Sequence, residues 1–116
     1  MDKIKYNFKN RTALITGGAQ GFGFDIAKRF LDSGAKVIIW DIDPKMTEKA
    51  IKDLDNSNLS SNIVDVSNFE EVESSVNEII KNSKIDILVN NAGITGPTAP
   101  LWEYDLEMWK KVVDIN

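Results

Sequence analysis

The chain has 116 residues, 42% of them hydrophobic, and a net charge of -4, which gives room for one small domain and no basic run to hold nucleic acid or an anionic membrane. It contains no cysteine and no histidine, which excludes a disulfide framework, a thiolate nucleophile, a thiolate metal site and the commonest general base. No metal site is expected, and acid–base chemistry is left to carboxylates, lysines and two tyrosines, Tyr6 and Tyr104.

The start, MDKIKYNFKNRTALIT, has an apolar run too short for a signal-peptide core, and no stretch approaches a membrane span, so a cytoplasmic protein is the expectation. TALIT (12–16) is a short buried run. Over 22–33, Ile26, Ala27, Phe30 and Leu31 recur at helical spacing, and Gly34 stands where that helix should end. KVIIW (36–40) is a second strand; after DIDP, Met46, Ala50, Ile51 and Leu54 mark one face of a second helix. SSNIV (60–64) is a third strand, and Ser67 to Glu70 has the spacing of a capping box opening a third helix. That helix presents Phe69, Val72, Val76, Ile79 and Ile80. DILVN (86–90) is the fourth strand, followed by the loop NAGITGPTAP and a helix from about Asp105 with Leu106, Trp109, Val112 and Val113 on its inner side. Strands without alternation, separated by helices, predict an α/β fold: a doubly wound parallel sheet covered on both faces. Right-handed crossovers place the strands in the order 3-2-1-4, and residues 1–116 read as one domain.

The junction between the first strand and first helix reads TGGAQGFG, residues 16–23. A phosphate-binding turn needs glycines where the backbone takes positive φ, where it approaches a pyrophosphate, and where the helix packs on the strand. Gly17, Gly21 and Gly23 can fill those roles, and the helix N-terminus adds amide donors and a partial positive charge. The same glycines would also suit a plain tight turn. The placement between strand and helix favours a nucleotide. Asp41 closes the second strand, 18 residues after Gly23, where a carboxylate can accept hydrogen bonds from an adenosine ribose or, alternatively, serve DIDP as a turn residue. A carboxylate there repels a 2′-phosphate, and neither Gln20 nor Ile42 offers the positive charge that NADP requires. NAD (NADH) is the expected cofactor.

These residues resemble a family, the short-chain dehydrogenase/reductases. Thr16, Gly17, Gly21 and Gly23 match its TGxxxGxG turn, Asp41 its NAD-selecting acid, and Asp65 with Val66 its adenine-contacting pair. NNAG (90–93) matches the fourth-strand signature, and Trp109 and Asn116 match the Trp and Asn of the family's fifth helix. The glycine spacing resembles the single-domain branch. The resemblance runs from about Thr12 to Asn116 and implies the N-terminal, cofactor-binding half of a Rossmann-type oxidoreductase. Its cofactor side would hold Thr16, Gly17, Gln20, Gly21, Phe22 and Gly23 from the turn. Asp41, Ile42, Asp65 and Val66 would follow from the next two strands, and Asn91, Ala92 and Gly93 from the floor. Asn90 is expected to tie neighbouring strands. Asp65 could equally be a loop acid, and Trp109 core or subunit interface. Trp40 and Trp102 suggest no role. Phe22 departs from the branched aliphatic residue usual between the last two glycines.

By the same resemblance Asn116 is a catalytic-tetrad asparagine that holds a water relaying protons to a lysine. Its companions do not appear: Tyr104 is followed four residues later by Met108 and Tyr6 by Asn10, so neither makes a YxxxK pair. Asn116 shares the inward face of Val112 and Val113 with nothing ahead of it, which reads as a truncation. The resemblance implies hydride transfer between a nicotinamide and an alcohol or ketone, with ITGPTAP similar to loops of oxoacyl reductases and sugar or polyol dehydrogenases. A homo-oligomer is implied for the whole protein, and the 116 residues alone are expected to be inactive. A non-catalytic dinucleotide-binding module, or a subunit completed by another chain, are the alternatives.

Overall fold

A computed structural model of the chain describes residues 3–116. Strands β1 (Thr12–Thr16), β2 (Lys36–Asp41), β3 (Leu59–Ile63) and β4 (Ile87–Val89) alternate with helices α1 (Gly21–Asp32), α2 (Pro44–Leu54), α3 (Phe69–Ile80) and α4 (Leu106–Ile115). The strands pair in parallel in the order β3-β2-β1-β4, as expected from right-handed crossovers.

The side-chain period of two explains why helices must cover both faces. Ile15, Val37 and Ile39 point to one face and pack with Ala27 and Leu31 of α1 and Ala50 of α2. Leu14, Ile38 and Trp40 point to the other, where Val64 and the α3 residues Val72, Val76 and Ile79 meet them. Ile15 and Ile39 are fully buried; each contributes roughly 1.5–3 kcal/mol by leaving water.

Local signals set the helix ends. Ser33 closes α1, and Gly34 follows at φ 89°, where a side chain would be strained. Asp43 starts α2 by accepting from the amides of Lys45 and Met46, with Pro44 in the first turn. The expected box at Ser67 and Glu70 is displaced by one residue. The hydroxyl and amide of Ser67 both donate to Asp65, which leaves Asn68 as the cap that accepts from the amide of Glu71 at 3.2 Å.

The strand limits also shift. β3 begins at Leu59, one residue earlier than expected, and β4 stops at Val89 because the chain turns at Asn90 and the Asn91 amide donates back to the Val89 carbonyl. The inner faces of the later helices are narrower than their periodicity suggests. Phe69 and Ile80 on α3 are exposed, as are Leu106, Trp109 and Val113 on α4. Val112 instead faces the loop before α4, where Gly96, at φ 67°, leaves room for it and for the Tyr104 hydroxyl. Among the described residues α4 is the fourth α-helix, not a fifth.

Candidate functional site

The C-terminal ends of β1, β2 and β4 and the start of α3's connection meet at a cleft of about 300 Å³. Parallel sheets place loops and helix N-termini at this end, so polar groups converge there. Gly17, Ala92 and Gly93 line the cleft together with Asp41 and Ile42, which end and follow β2, and Asp65 and Val66, which follow β3. Gln20, Asn91, Trp40 and Ile94 also line it, and none of the lining residues is cationic.

The turn after β1 needs its glycines for different reasons. Gly17 has φ 63°, and a Cβ there would lie 3.0 Å from the Ala92 Cα. At Gly23 a Cβ would meet the Gly17 carbonyl oxygen at 2.2 Å, so α1 can dock on the turn only without a side chain. Gly21 has φ 58° but open space around its missing Cβ. Gly18, for which the sequence suggested no role, is also constrained, because its Cβ would fall 2.6 Å from the Ile39 side chain. The open backbone at Gly21 adjoins the one α-helix start among the described residues without a side-chain cap: Gln20 contributes none, whereas α2, α3 and α4 each have an Asp or Asn cap. Free amides and a positive φ glycine make an anion cradle that a Cβ would narrow. That cradle and the cleft beside it fit a dinucleotide. Phe22, in the same turn, is 83% exposed and touches neither wall.

Thr16 lies behind the cleft and does not line it. Its buried hydroxyl accepts from the amides of Asn91 and Ala92, both at 3.0 Å, and faces the Val89 carbonyl at 3.4 Å. Asn91 completes the tie by donating from Nδ2 to the carbonyls of Thr16 and Gly17. The strand-tying task expected of Asn90 therefore belongs to Asn91: Asn90 is exposed at the turn and makes no side-chain hydrogen bond in the described structure. Asn91 both supports the floor and lines it.

Asp41 is buried, and each carboxylate oxygen already accepts one amide: Oδ2 from Ala19 and Oδ1 from Asp43, both at 3.1 Å. Asp65 accepts the Ser67 hydroxyl and amide on Oδ1. Those two bonds, in that order, hold its pKa below the usual aspartate value against slight burial, with the charge of Lys111 adding to the effect. Its Oδ2 makes no hydrogen bond with the described residues, which leaves an acceptor at the cleft. Trp40, for which the sequence suggested nothing, lines the cleft from the α3 side of the sheet, and its buried indole N–H has no partner among the described residues. Its only sequence signal was its place just before the strand-end acid.

Asn116 is engaged, not unpartnered. Its Oδ1 accepts from the Ile94 amide at 2.8 Å and its Nδ2 donates to the Ile94 carbonyl at 2.9 Å. A side chain at Gly93 would crowd that amide, with its Cβ 3.3 Å from Oδ1. Asn116 does not line the cleft; it borders the shallower surface next to it, with Gly93, Thr95 and Lys111.

Comparisons with known proteins agree with this geometry. A family profile described as short chain dehydrogenase matches residues 11–116. The 3-oxoacyl-acyl-carrier-protein reductase of Chlamydia muridarum is 40% identical over 111 residues, covering 92% of this chain and 44% of that protein. The 2-dehydro-3-deoxy-L-rhamnonate dehydrogenase (NAD(+)) of a Sphingomonas strain is 33% identical over 110 residues, covering 94% of this chain and 43% of its own length. The solved Pseudomonas aeruginosa RhlG/NADP active-site complex is 32% identical with a TM-score of 0.84, over 94% of this chain and 43% of that one. The chain thus spans less than half the length of these relatives.

Proposed function

The chain belongs to the short chain dehydrogenase family, and from that membership we propose that it is the NAD(H)-binding portion of an oxidoreductase acting on an alcohol or ketone. The observation that carries the reading is the cleft itself, which gathers Asp41, Asp65 and Val66 with Gly17 and Gly93 at the strand ends. Asp41 would accept from the adenosine ribose, the free Oδ2 of Asp65 from the adenine amino group, and the open amides at Gly21 and Phe22 would receive the pyrophosphate. When bound, the nicotinamide supplies the hydride donor or acceptor.

The choice of NAD over NADP rests on charge. A 2′-phosphate would sit against the Asp41 carboxylate with no lysine or arginine on the cleft lining to offset the repulsion. The relatives' names point both ways, one carrying NAD(+) and another NADP, and the proposal of NAD rests on the carboxylate alone. For the substrate, an oxoacyl thioester or a sugar-derived acid are the classes their names support. The chain has no histidine, cysteine or YxxxK pair, so we assign the proton that accompanies the hydride to groups outside these 116 residues, and the chain alone is proposed to be inactive.

Fluorescence titration tests the cofactor assignment. NADH should bind at least about tenfold more tightly than NADPH, the ratio that roughly 1.4 kcal/mol of repulsion gives. Equal affinities would overturn the NAD choice, and no binding of either would overturn the site.

A further inference from the structure

We propose that Asp41 is a positioning residue for the phosphate-binding turn, so that one carboxylate both reads the ribose and sets the turn's shape. The proposal deepens the nucleotide reading above and rests on it for the ligand, but its structural half stands on contacts within the chain.

Two hydrogen bonds fasten the turn to the end of β2. The Gly18 amide donates to the Trp40 carbonyl at 3.1 Å, and the Ala19 amide donates to Asp41 Oδ2 at 3.1 Å. Consecutive turn amides are thereby directed inward, and the amides that follow, at the uncapped start of α1, are left to face outward. Ala19 is 3% exposed, so losing the carboxylate leaves a buried donor that only water entering from the cleft could pair, without the carboxylate's fixed geometry. Asp41 is anchored from three further directions: its other oxygen accepts from Asp43, its backbone carbonyl accepts from the Val64 amide at 3.0 Å, and its own strand lies between β1 and β3. A fixed carboxylate can impose a conformation on a flexible glycine turn. The reverse is not available, because the turn has two glycines at positive φ and no side-chain cap of its own.

The two roles give opposite signs for a ligand that has phosphate but no ribose. If Asp41 only repels and selects, removing its charge should strengthen the binding of inorganic pyrophosphate. If it holds the turn, Asp41→Ala should weaken that binding, whereas Asp41→Asn should not, because with its amide oxygen turned to Ala19 it still accepts there, at the cost of setting its NH2 against the Asp43 amide.

The experiment uses the 116-residue chain and two readouts. In the ligand-free protein, amide hydrogen exchange at Ala19 should accelerate at least about tenfold in Asp41→Ala, stay near wild type in Asp41→Asn, and leave α3 unchanged. With inorganic pyrophosphate, followed through the amide shifts of residues 20–23, Asp41→Ala should bind at least about fivefold more weakly, and Asp41→Asn as tightly as wild type or more so. Equal Ala19 exchange in the two variants, or uniform acceleration along the whole chain, overturns the proposal. Pyrophosphate binding that strengthens in both variants overturns it too. If wild type binds no pyrophosphate but Ala19 exchange behaves as stated, the turn-holding role stands and the nucleotide reading fails.

Discussion

Asn116 and Ile94 hold each other by a closed pair of hydrogen bonds, side-chain amide to backbone amide, 22 residues apart. The pair joins the end of α4 to the loop that leaves β4, and Gly93 is what lets it close. In this arrangement the asparagine amide acts as a peptide group would in a short ladder.

Asn116→Ala should therefore loosen the loop. Both bonds are near solvent, so the cost is about 0.5–1.5 kcal/mol, or a fall in Tm of several degrees for a chain of this size. Asn116→Asp keeps the Ile94 amide bond but sets one oxygen against another, and it should be at least as destabilising. Thermal melts of the two variants check this; unchanged Tm in both would mean the pair holds nothing.

Gly23 and Gly21 should separate stability from binding. Gly23→Ala drives a methyl into the Gly17 carbonyl, where backbone, not a flexible side chain, must yield. A loss of about 3 kcal/mol or more in urea unfolding is expected. Gly21→Ala has open space but a positive φ, which costs about 1–2 kcal/mol. Its larger effect should fall on NADH affinity. A Gly21→Ala protein as unstable as Gly23→Ala would show that the turn is tighter than described.

The sheet was legible in the sequence because buried parallel strands have to be continuous apolar runs, as TALIT and KVIIW are. The turn was legible because few residues other than glycine tolerate the φ of Gly17 and Gly21. The finer assignments failed where neighbours of the same chemistry compete. Asn90 and Asn91 are identical side chains, and only the bend after Val89 decides which one turns back to Thr16. Ser67 and Asn68 are both good caps, and Asp65 decides between them by taking the Ser67 hydroxyl first. Such choices depend on contacts between distant or non-periodic residues, which spacing along the chain does not encode.

Acid should loosen the join between β4 and β1. Asp86 accepts the Thr12 amide at 2.9 Å on one oxygen and lies 3.2 Å from Lys84 and 3.6 Å from Arg11 on the other, with its side chain 14% exposed. The Thr12 bond chiefly, then Lys84 and Arg11, hold its pKa below an aspartate's ordinary value, with partial burial opposing. Because the folded pKa is depressed, the unfolded chain binds the proton more readily. The contribution to stability is therefore fully present above the ordinary value of about 3.9 and is lost as pH falls through the lower folded value. Asp86→Asn should be less stable than wild type at neutral pH, with the difference shrinking on acidification. A difference that stays constant from neutral to strongly acidic pH would remove Asp86 from the account.

The last prediction concerns the free side of β4. Its one strand partner among the described residues is β1, and although the Asn91 amide takes the Val89 carbonyl, no second strand pairs along its other side. Leu88 is 56% exposed on that strand, and no lysine, proline or bulge lies within its three residues. Helix α4 adds Leu106, Trp109 and Val113, all exposed on its outer face. An open edge, in a chain that also carries an uncovered apolar helix face, favours pairing with another strand, so the 116-residue chain should self-associate. Leu88→Lys should weaken that association by placing a charge in the edge, while Ile63→Lys on β3, the opposite edge strand, should not. Size-exclusion chromatography with light scattering would measure both. A monomer at concentrations of about 100 μM, or equal effects from the two lysines, would count against the β4 edge as the contact.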